Sequence, residues 1–189
     1  KNIFKIEDLR KRLIYTCLLI LVYRLGCYVV IPGIDPNLLG EGSALANQMD
    51  SNGLLGLLNV FSGGAFANAA IFALGVMPYI TASIIIQLLG MMVPAVQKMM
   101  KEGESGRRKM NQWTRLLTIG VLALQGPAYV ANLYHQMPEA FVYGNAFIFT
   151  VYATIILIAG TMFVVWLGEK ITDKGIGNGV SLIIMIGIV

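Results

Sequence analysis

The sequence has few of the residues from which enzymes and metalloproteins build their sites. Its 189 residues include one His and two Cys, and only 13% are Asp, Glu, Lys or Arg. Cys17 and Cys27 share one apolar segment and lie about 15 Å apart along a helix, too far for a disulfide, so we expect both to be buried apolar side chains. No apolar segment pairs two carboxylates, or a nucleophile with a base, at helical spacing. We therefore expect no catalytic site, no metal site and no cofactor.

Charge is missing altogether between Gly53 and Val93, in a chain that is 57% hydrophobic with a mean hydropathy of +0.72. Such a composition is typical of integral membrane proteins. The piece Leu54–Phe61 is about 12 Å long as a helix and cannot cross a bilayer core of about 30 Å. Ser62-Gly63-Gly64 breaks it, and the run at 65–93, with Pro78 inside, is long enough to span. Because a helix broken at membrane depth needs protein or water around its backbone, this pattern predicts a channel or a transporter.

The apolar segments together predict an all-α polytopic transmembrane bundle whose second helix is broken into a half-helix and a spanning half. The predicted order is a cytoplasmic amphipathic helix at 1–12, span 1 at 13–31, an external loop at 32–52, the half-helix at 53–64, span 2 at 65–93, a cytoplasmic basic loop at 94–113, span 3 at 114–133, an external loop at 134–145, span 4 at 146–168, a cytoplasmic loop at 169–179 and a truncated span 5 at 180–189.

The basic residues set the orientation of this bundle. Thirteen of the fourteen lie before the first span, between Lys98 and Arg115, or at Lys170 and Lys174, and the loops at 32–52 and 134–145 contain none. This asymmetry places the N-terminus and both basic loops in the cytoplasm. The fourteenth, Arg24, lies inside span 1 at a cost of about 3 kcal/mol, and we expect it to snorkel or to face the bundle rather than to line an ion pathway.

Several short motifs follow one another along the whole chain in the order of one known family. They are Ile31-Pro32-Gly33-Ile34-Asp35, Phe61-Ser62-Gly63-Gly64-Ala65, Ile71-Phe72-Ala73-Leu74-Gly75 continuing through Met77-Pro78-Tyr79-Ile80, Lys101-Glu102-Gly103-Glu104-Ser105-Gly106-Arg107-Arg108-Lys109, Gly160-Thr161-Met162-Phe163 and Gly175-Ile176-Gly177-Asn178-Gly179. In these motifs the chain resembles SecY, the central subunit of the protein-conducting channel of the bacterial cytoplasmic membrane. The match covers the N-terminal half of a ten-span subunit. It implies conduction of unfolded polypeptide across the membrane and lateral release of transmembrane segments into lipid.

The resemblance also implies a plug, the half-helix that seals the resting channel. The matching residues are Leu54, Leu55, Leu57, Leu58, Asn59, Val60, Phe61, Ser62, Gly63 and Gly64. A short, uncharged, Gly-flanked helix can move without dragging a buried charge, which agrees with that role. A re-entrant helix with no moving role stays the alternative.

The resemblance assigns three further groups of residues. A hydrophobic pore ring matches Val76, Ile80, Val180 and Ile184, and one side of a lateral gate matches the helix that carries Thr81, Ser83 and Gln87, with Gln125 on the next helix. Contacts with cytosolic partners match Lys98, Lys101, Arg107, Arg108 and Lys109. The sequence leaves the plain alternatives open: packing positions for the ring, fixed hydrogen bonds for the gate, and an anchor of topology for the basic loop.

The implied partners are small membrane subunits like SecE and SecG, a motor ATPase like SecA or a ribosome, the translocating polypeptide with its signal sequence, and membrane lipid. Direct DNA binding is not expected, because the basic stretch from Lys98 to Lys109 has no interleaved aromatic residues. The competing interpretation is a secondary transporter with a substrate site at its broken helix. A transporter should place ionisable groups there, whereas this chain offers Gln87 and Gln125 and no intramembrane carboxylate.

Overall fold

The chain is helical almost throughout the computed structural model, which describes residues 6–39, 53–136, 138–141 and 145–189. Its α-helices are α1 (Glu7–Gly26), α2 (Gly53–Phe61), α3 (Met77–Met92), α4 (Pro94–Lys101), α5 (Glu104–Gln136), α6 (Ala146–Lys174) and α7 (Gly179–Ile188), with 3₁₀ turns at Pro36–Leu38 and Pro138–Ala140. Within these residues the only extended pairings are isolated bridges between Val30 and Ala70 and between Ile34 and Phe141. The predicted all-α class is confirmed.

Helix α6 is the axis of the bundle. It packs against α5, α7 and α1, while α5 also packs against α3 and α4, and α2 lies against α7. The buried residues form two clusters. The first surrounds Ile31, Tyr129 and Leu157, and the second surrounds Tyr23 and Val164. Both clusters take residues from the segment between α2 and α3, so that segment is enclosed by helices.

Residues 62–76, which link α2 to α3, fold as turns rather than as helix. We expected the spanning half to run from 65 to 93 with Pro78 in its interior. The helix begins at Met77 instead, so Pro78 occupies the first turn, where its missing N–H costs no hydrogen bond. Positive φ angles at Gly63 and Gly64 turn the chain out of α2.

Backbone groups of this irregular segment find partners in the chain that follows α1. The Ile31 N–H donates to the Ala69 carbonyl at 3.0 Å, and the Ile71 N–H donates to the Val29 carbonyl at 2.9 Å. Because an unsatisfied backbone group is costly away from water, these bonds let a non-helical segment lie inside the bundle.

Two helices, α5 and α6, are long and apolar enough to cross a membrane by length and composition, among the described residues. Helices α3 and α4 make a third such span if they are counted together, although they are bent by 104° at Val93. Helix α1 has twenty residues but is charged at both ends, and α7 has ten. Each helix therefore differs in its bounds from the predicted spans, and the positions at which the chain enters the membrane stay a prediction.

The predicted basic loop at 94–113 is largely helical. Pro94 opens α4, and Lys98 and Lys101 occupy its last turn, where cations interact favourably with the helix dipole. Gly103, with φ of 74°, turns the chain into α5, whose first turn carries Glu104. We predicted a loop because this stretch is charged, but Lys98, Lys101 and Glu104 lie at helix ends, where their charges interact favourably with the helix dipole.

Candidate functional site

The candidate plug is α2 together with the turn Ser62-Gly63-Gly64. Its C-terminal end is held by two polar side chains. The Ser62 hydroxyl donates to the Asn59 carbonyl at 2.9 Å and accepts the Phe66 N–H at 3.0 Å, while the Asn59 amide oxygen accepts the Ala67 N–H at 3.0 Å. The single strongly polar residue of α2 thus fixes how the helix joins the irregular segment.

The same end of α2 is seated against α7 at two glycines. A Cβ on Gly63 would lie 3.3 Å from the Gly187 Cα, and a Cβ on Gly187 would lie 2.9 Å from the Phe61 carbonyl oxygen. The other end is open, since Leu54 is 75% exposed. The side chain of Leu55 lies outside the described part of the structure. An uncharged helix held at one end is a geometry that allows release.

The candidate pore ring is only partly assembled in this chain. Val76 is 2% exposed and belongs to the second buried cluster, against which Val180 and Ile184 pack. Ile80, one turn beyond Val76, is half-buried and lies outside that cluster. The structure thus brings three of the four residues together, with Val76 turned into the protein.

The turn between α6 and α7 positions Val180 at the start of α7. Gly177 has φ of 73°, the Asn178 carboxamide oxygen accepts the Val180 N–H at 3.1 Å, and the Gly179 N–H donates to the Thr172 hydroxyl at 2.8 Å. These bonds satisfy two N–H groups at the start of α7, which the helix itself leaves free.

Asn178→Ala should lower the free energy of unfolding by about 0.5–2 kcal/mol, because it removes this N-cap. The measurement is the thermal midpoint of the complete protein in detergent, with Asn178→Asp as the control that keeps an acceptor oxygen. Equal midpoints for the Ala and Asp variants would mean that the cap does not hold α7.

The candidate gate residues fall into two groups. Thr81 and Gln125 line a cleft of about 310 Å³ between α3 and α5, which also contacts Leu58 of the candidate plug. Ser83 and Gln87 line a second cavity of about 520 Å³ nearer α4. The hydrogen bonds of this helix are local, from the Thr81 hydroxyl to the Met77 carbonyl at 3.1 Å and from the Gln87 amide to the Ser83 hydroxyl at 3.4 Å. Both bonds lie within α3 and neither joins it to another helix, so they fit the fixed-bond alternative.

The candidate contact residues for cytosolic partners, Lys98, Lys101, Arg107, Arg108 and Lys109, are all exposed. Arg108 lies 3.6 Å from Glu104, a surface pair that contributes little to stability. Nearby, both ends of the Arg115 guanidinium donate to the Glu169 carboxylate, joining α5 to α6 beside a cavity of about 760 Å³. This bidentate pair was missed from the sequence, because its two residues are 54 positions apart.

At the end of α1, Arg24 faces the bundle, which is one of the two placements expected from the sequence, although its partner was not predicted. Arg24 is half-buried and donates to the Ile186 carbonyl at 2.6 Å, so it faces α7 rather than lipid. Cys27 is buried next to Ser62, whereas Cys17, which we also expected to be buried, is exposed. Among the described residues no group of three or more His, Cys, Asp or Glu side chains could hold a metal ion.

Comparisons with known proteins agree with this architecture. A family model described as SecY matches residues 70–189. The Protein translocase subunit SecY of Streptomyces scabiei is 46% identical over 98% of this chain and 44% of its own length. That of Thermotoga maritima is 44% identical over 100% of this chain and 44% of its own length. The chain thus spans less than half the length of these two relatives.

Two solved structures share the fold. One, described as "The structure of a protein conducting channel", has a TM-score of 0.62 and 19% identity and covers 94% of this chain and 36% of its own. The other, "Sec61 in the Canine ribosome-channel complex from the endoplasmic reticulum", has a TM-score of 0.63, 18% identity and the same coverages. The match to this family gives the secondary-transporter interpretation no support. With long apolar helices and a family model that covers most of its length, this multi-pass membrane protein belongs to the SecY family.

Proposed function

We propose that the chain forms the N-terminal half of a channel subunit that conducts unfolded polypeptide across a membrane and releases transmembrane segments sideways into lipid. The observation that carries the proposal is the uncharged, non-helical segment 62–76, enclosed between two helical clusters and preceded by the short helix α2. Irregular backbone is tolerated at membrane depth where it is buried in protein or lines a water-filled cavity. A channel with a movable seal needs both an enclosed non-helical segment and a short helix that can move.

The distribution of charge supports a cytoplasmic N-terminus, and the bacterial relatives support a bacterial cytoplasmic membrane. The Arg115–Glu169 pair brings the basic start of α5 next to the end of α6, which carries Lys170 and Lys174. At the opposite ends of these helices, the bridge from Ile34 to Phe141 joins the segments that follow α1 and α5, and the loops at 32–52 and 134–145 hold no Lys or Arg. All three basic regions then share one side, as the positive-inside rule requires.

The partners follow from the same proposal. Small membrane subunits like SecE and SecG would complete the bundle, and lipid would meet the exposed apolar residues of its outer face, such as Leu124 and Phe147. The exposed basic residues of α4 and α5 would contact a motor ATPase like SecA or a ribosome, and the related structure from a ribosome-channel complex supports the second of these. The chain itself would be a passive conduit with no catalytic step, and we propose no direct DNA binding.

The proposal is tested with a complete channel that contains this chain, reconstituted in lipid vesicles with its motor. A secretory precursor should become protected from external protease, and small nutrients such as amino acids should not accumulate. Uptake of a small solute against its gradient without precursor protection would favour a transporter instead.

A further inference from the structure

The last turn of α1 aims three side-chain donors at one place in the fold. Cys27, the C-cap residue that follows this helix, comes three positions after Arg24 and four after Tyr23, the two spacings at which helical residues are neighbours. All three face the α2–α7 junction, which we define as residues 61–64 of the candidate plug turn and residues 186–187 of α7. The two glycines that bring α2 against α7 lie in the middle of this junction.

Two of the donors converge on a single backbone carbonyl. The Tyr23 hydroxyl lies 3.4 Å from the Ser62 carbonyl oxygen, and the Cys27 sulfur lies 3.8 Å from the same atom. Within the turn, the Ser62 carbonyl oxygen also accepts a hydrogen bond from the Ala65 N–H at 3.4 Å. All three bonds are long, so the carbonyl is held by several weak contacts rather than by one strong one.

The third donor, Arg24, binds the α7 side of the junction. Arg24 donates to the Ile186 carbonyl at 2.6 Å, and its second terminal nitrogen would lie 3.4 Å from a Cβ on Gly63. Helix α1 therefore contacts both the plug turn and α7 at the point where they meet.

The surroundings fix these donors in place. Tyr23 and Cys27 are each 1% exposed, and Ser62 is 2% exposed. The Tyr23 ring lies parallel to the Phe72 ring, with 6.0 Å between centroids, and a Cβ on Gly26 would collide with that Phe72 ring. A buried hydroxyl held in this way has no water to replace a lost partner.

We propose that Tyr23 and Cys27 are positioning residues that hold the plug turn at Ser62, so that α2 stays seated against α7 while the channel is closed. This inference rests on the plug role proposed above for α2. The bonds are weak enough to break and reform as α2 leaves its seat and returns. The turn is thus tethered to α1, while Leu54 at the far end of α2 is free of it.

The experiment measures ion leak through the complete channel in lipid vesicles. Tyr23→Phe, which removes one oxygen and keeps the ring, should raise the leak about two- to tenfold, the population change that loss of one buried hydrogen bond produces. Cys27→Ala should act in the same direction. The matched controls Tyr28→Phe, at a residue 73% exposed, and Cys17→Ala, at the exposed cysteine, should leave the leak unchanged.

A second background separates this inference from the plug proposal. Deleting Leu54–Phe61 should itself raise the leak, and in that background Tyr23→Phe should add nothing, because no plug is left to position. Equal leak increases in both backgrounds, or no increase in the intact channel although the deletion leaks, would overturn the positioning role alone. A silent deletion would overturn the plug role and this inference with it. If Tyr23→Phe fails to assemble, the Cys27→Ala and Cys17→Ala pair decides the same question.

Discussion

Replacing Gly160 by Val should destabilise the protein by about 3 kcal/mol or more, the upper range for overpacking a buried site. Gly160 is buried on α6, and a Cβ there would collide with the carbonyl oxygen of Ile71 and lie 3.1 Å from its carbonyl carbon. Ile71 lies in the irregular segment, whose backbone is fixed by its bond to Val29. The Ile71 N–H donates to the Val29 carbonyl, so the backbone at this residue is anchored, and its carbonyl cannot move aside as easily as a flexible side chain would. The measurement is the thermal midpoint in detergent.

Gly120→Val is the matched control for this change, because it makes the same substitution in α5 where a Cβ would meet nothing within 4 Å. Valine is a better helix former than glycine, so the control should be neutral or slightly stabilising. A common shift of both midpoints would show that the close approach of α6 to the irregular segment does not govern stability.

Ile80→Gly should raise the resting ion leak of the complete channel severalfold or more. The substitution removes a whole aliphatic side chain from the candidate ring, and an apolar lining excludes ions and water because it offers them no polar partners. A wider and less apolar opening wets more readily and lowers the barrier to ions. Leak is measured as ion flux across reconstituted vesicles in the absence of a precursor.

Ile85→Gly controls for the weakening of α3 by a glycine. Ile85 is exposed and lies five residues further on, so it points to a different face of the same helix. It should lose similar helix stability without added leak. Unchanged leak in Ile80→Gly, with normal assembly, would return Ile80 to ordinary packing.

Local features of this fold could be predicted from the sequence. The uncharged stretch between Gly53 and Val93 and the break at Ser62-Gly63-Gly64 each act within a few residues of themselves, so composition and spacing reveal them. The family resemblance rested on short motifs of this local kind along the whole chain. The prediction for Pro78 was wrong. A proline inside an apolar run is compatible with a kinked helix or with the start of a helix, and because residues 62–76 form turns, Pro78 lies at a helix start.

Contacts between distant parts of the chain could not be predicted in this way. The bond from Tyr23 to Ser62 spans 39 positions, and that from Arg115 to Glu169 spans 54. Gly160 shows no local need for glycine, since its helix is regular, and only the approach of Ile71 explains it. The spacing of Tyr23 and Cys27 on one helix face was visible in the sequence, but nothing in it names the carbonyl that they share.

The most direct test of a polypeptide path along α3 is site-specific photocrosslinking from Ile80 in the assembled channel, with a secretory precursor stalled midway. The proposed function predicts adducts between a photoreactive residue at Ile80 and the stalled chain, and none when the precursor is left out. Ile85 serves as the control position and should label lipid or neighbouring helices instead. Labelling of lipid or helices from Ile80, with no adduct to the stalled chain, would contradict the account.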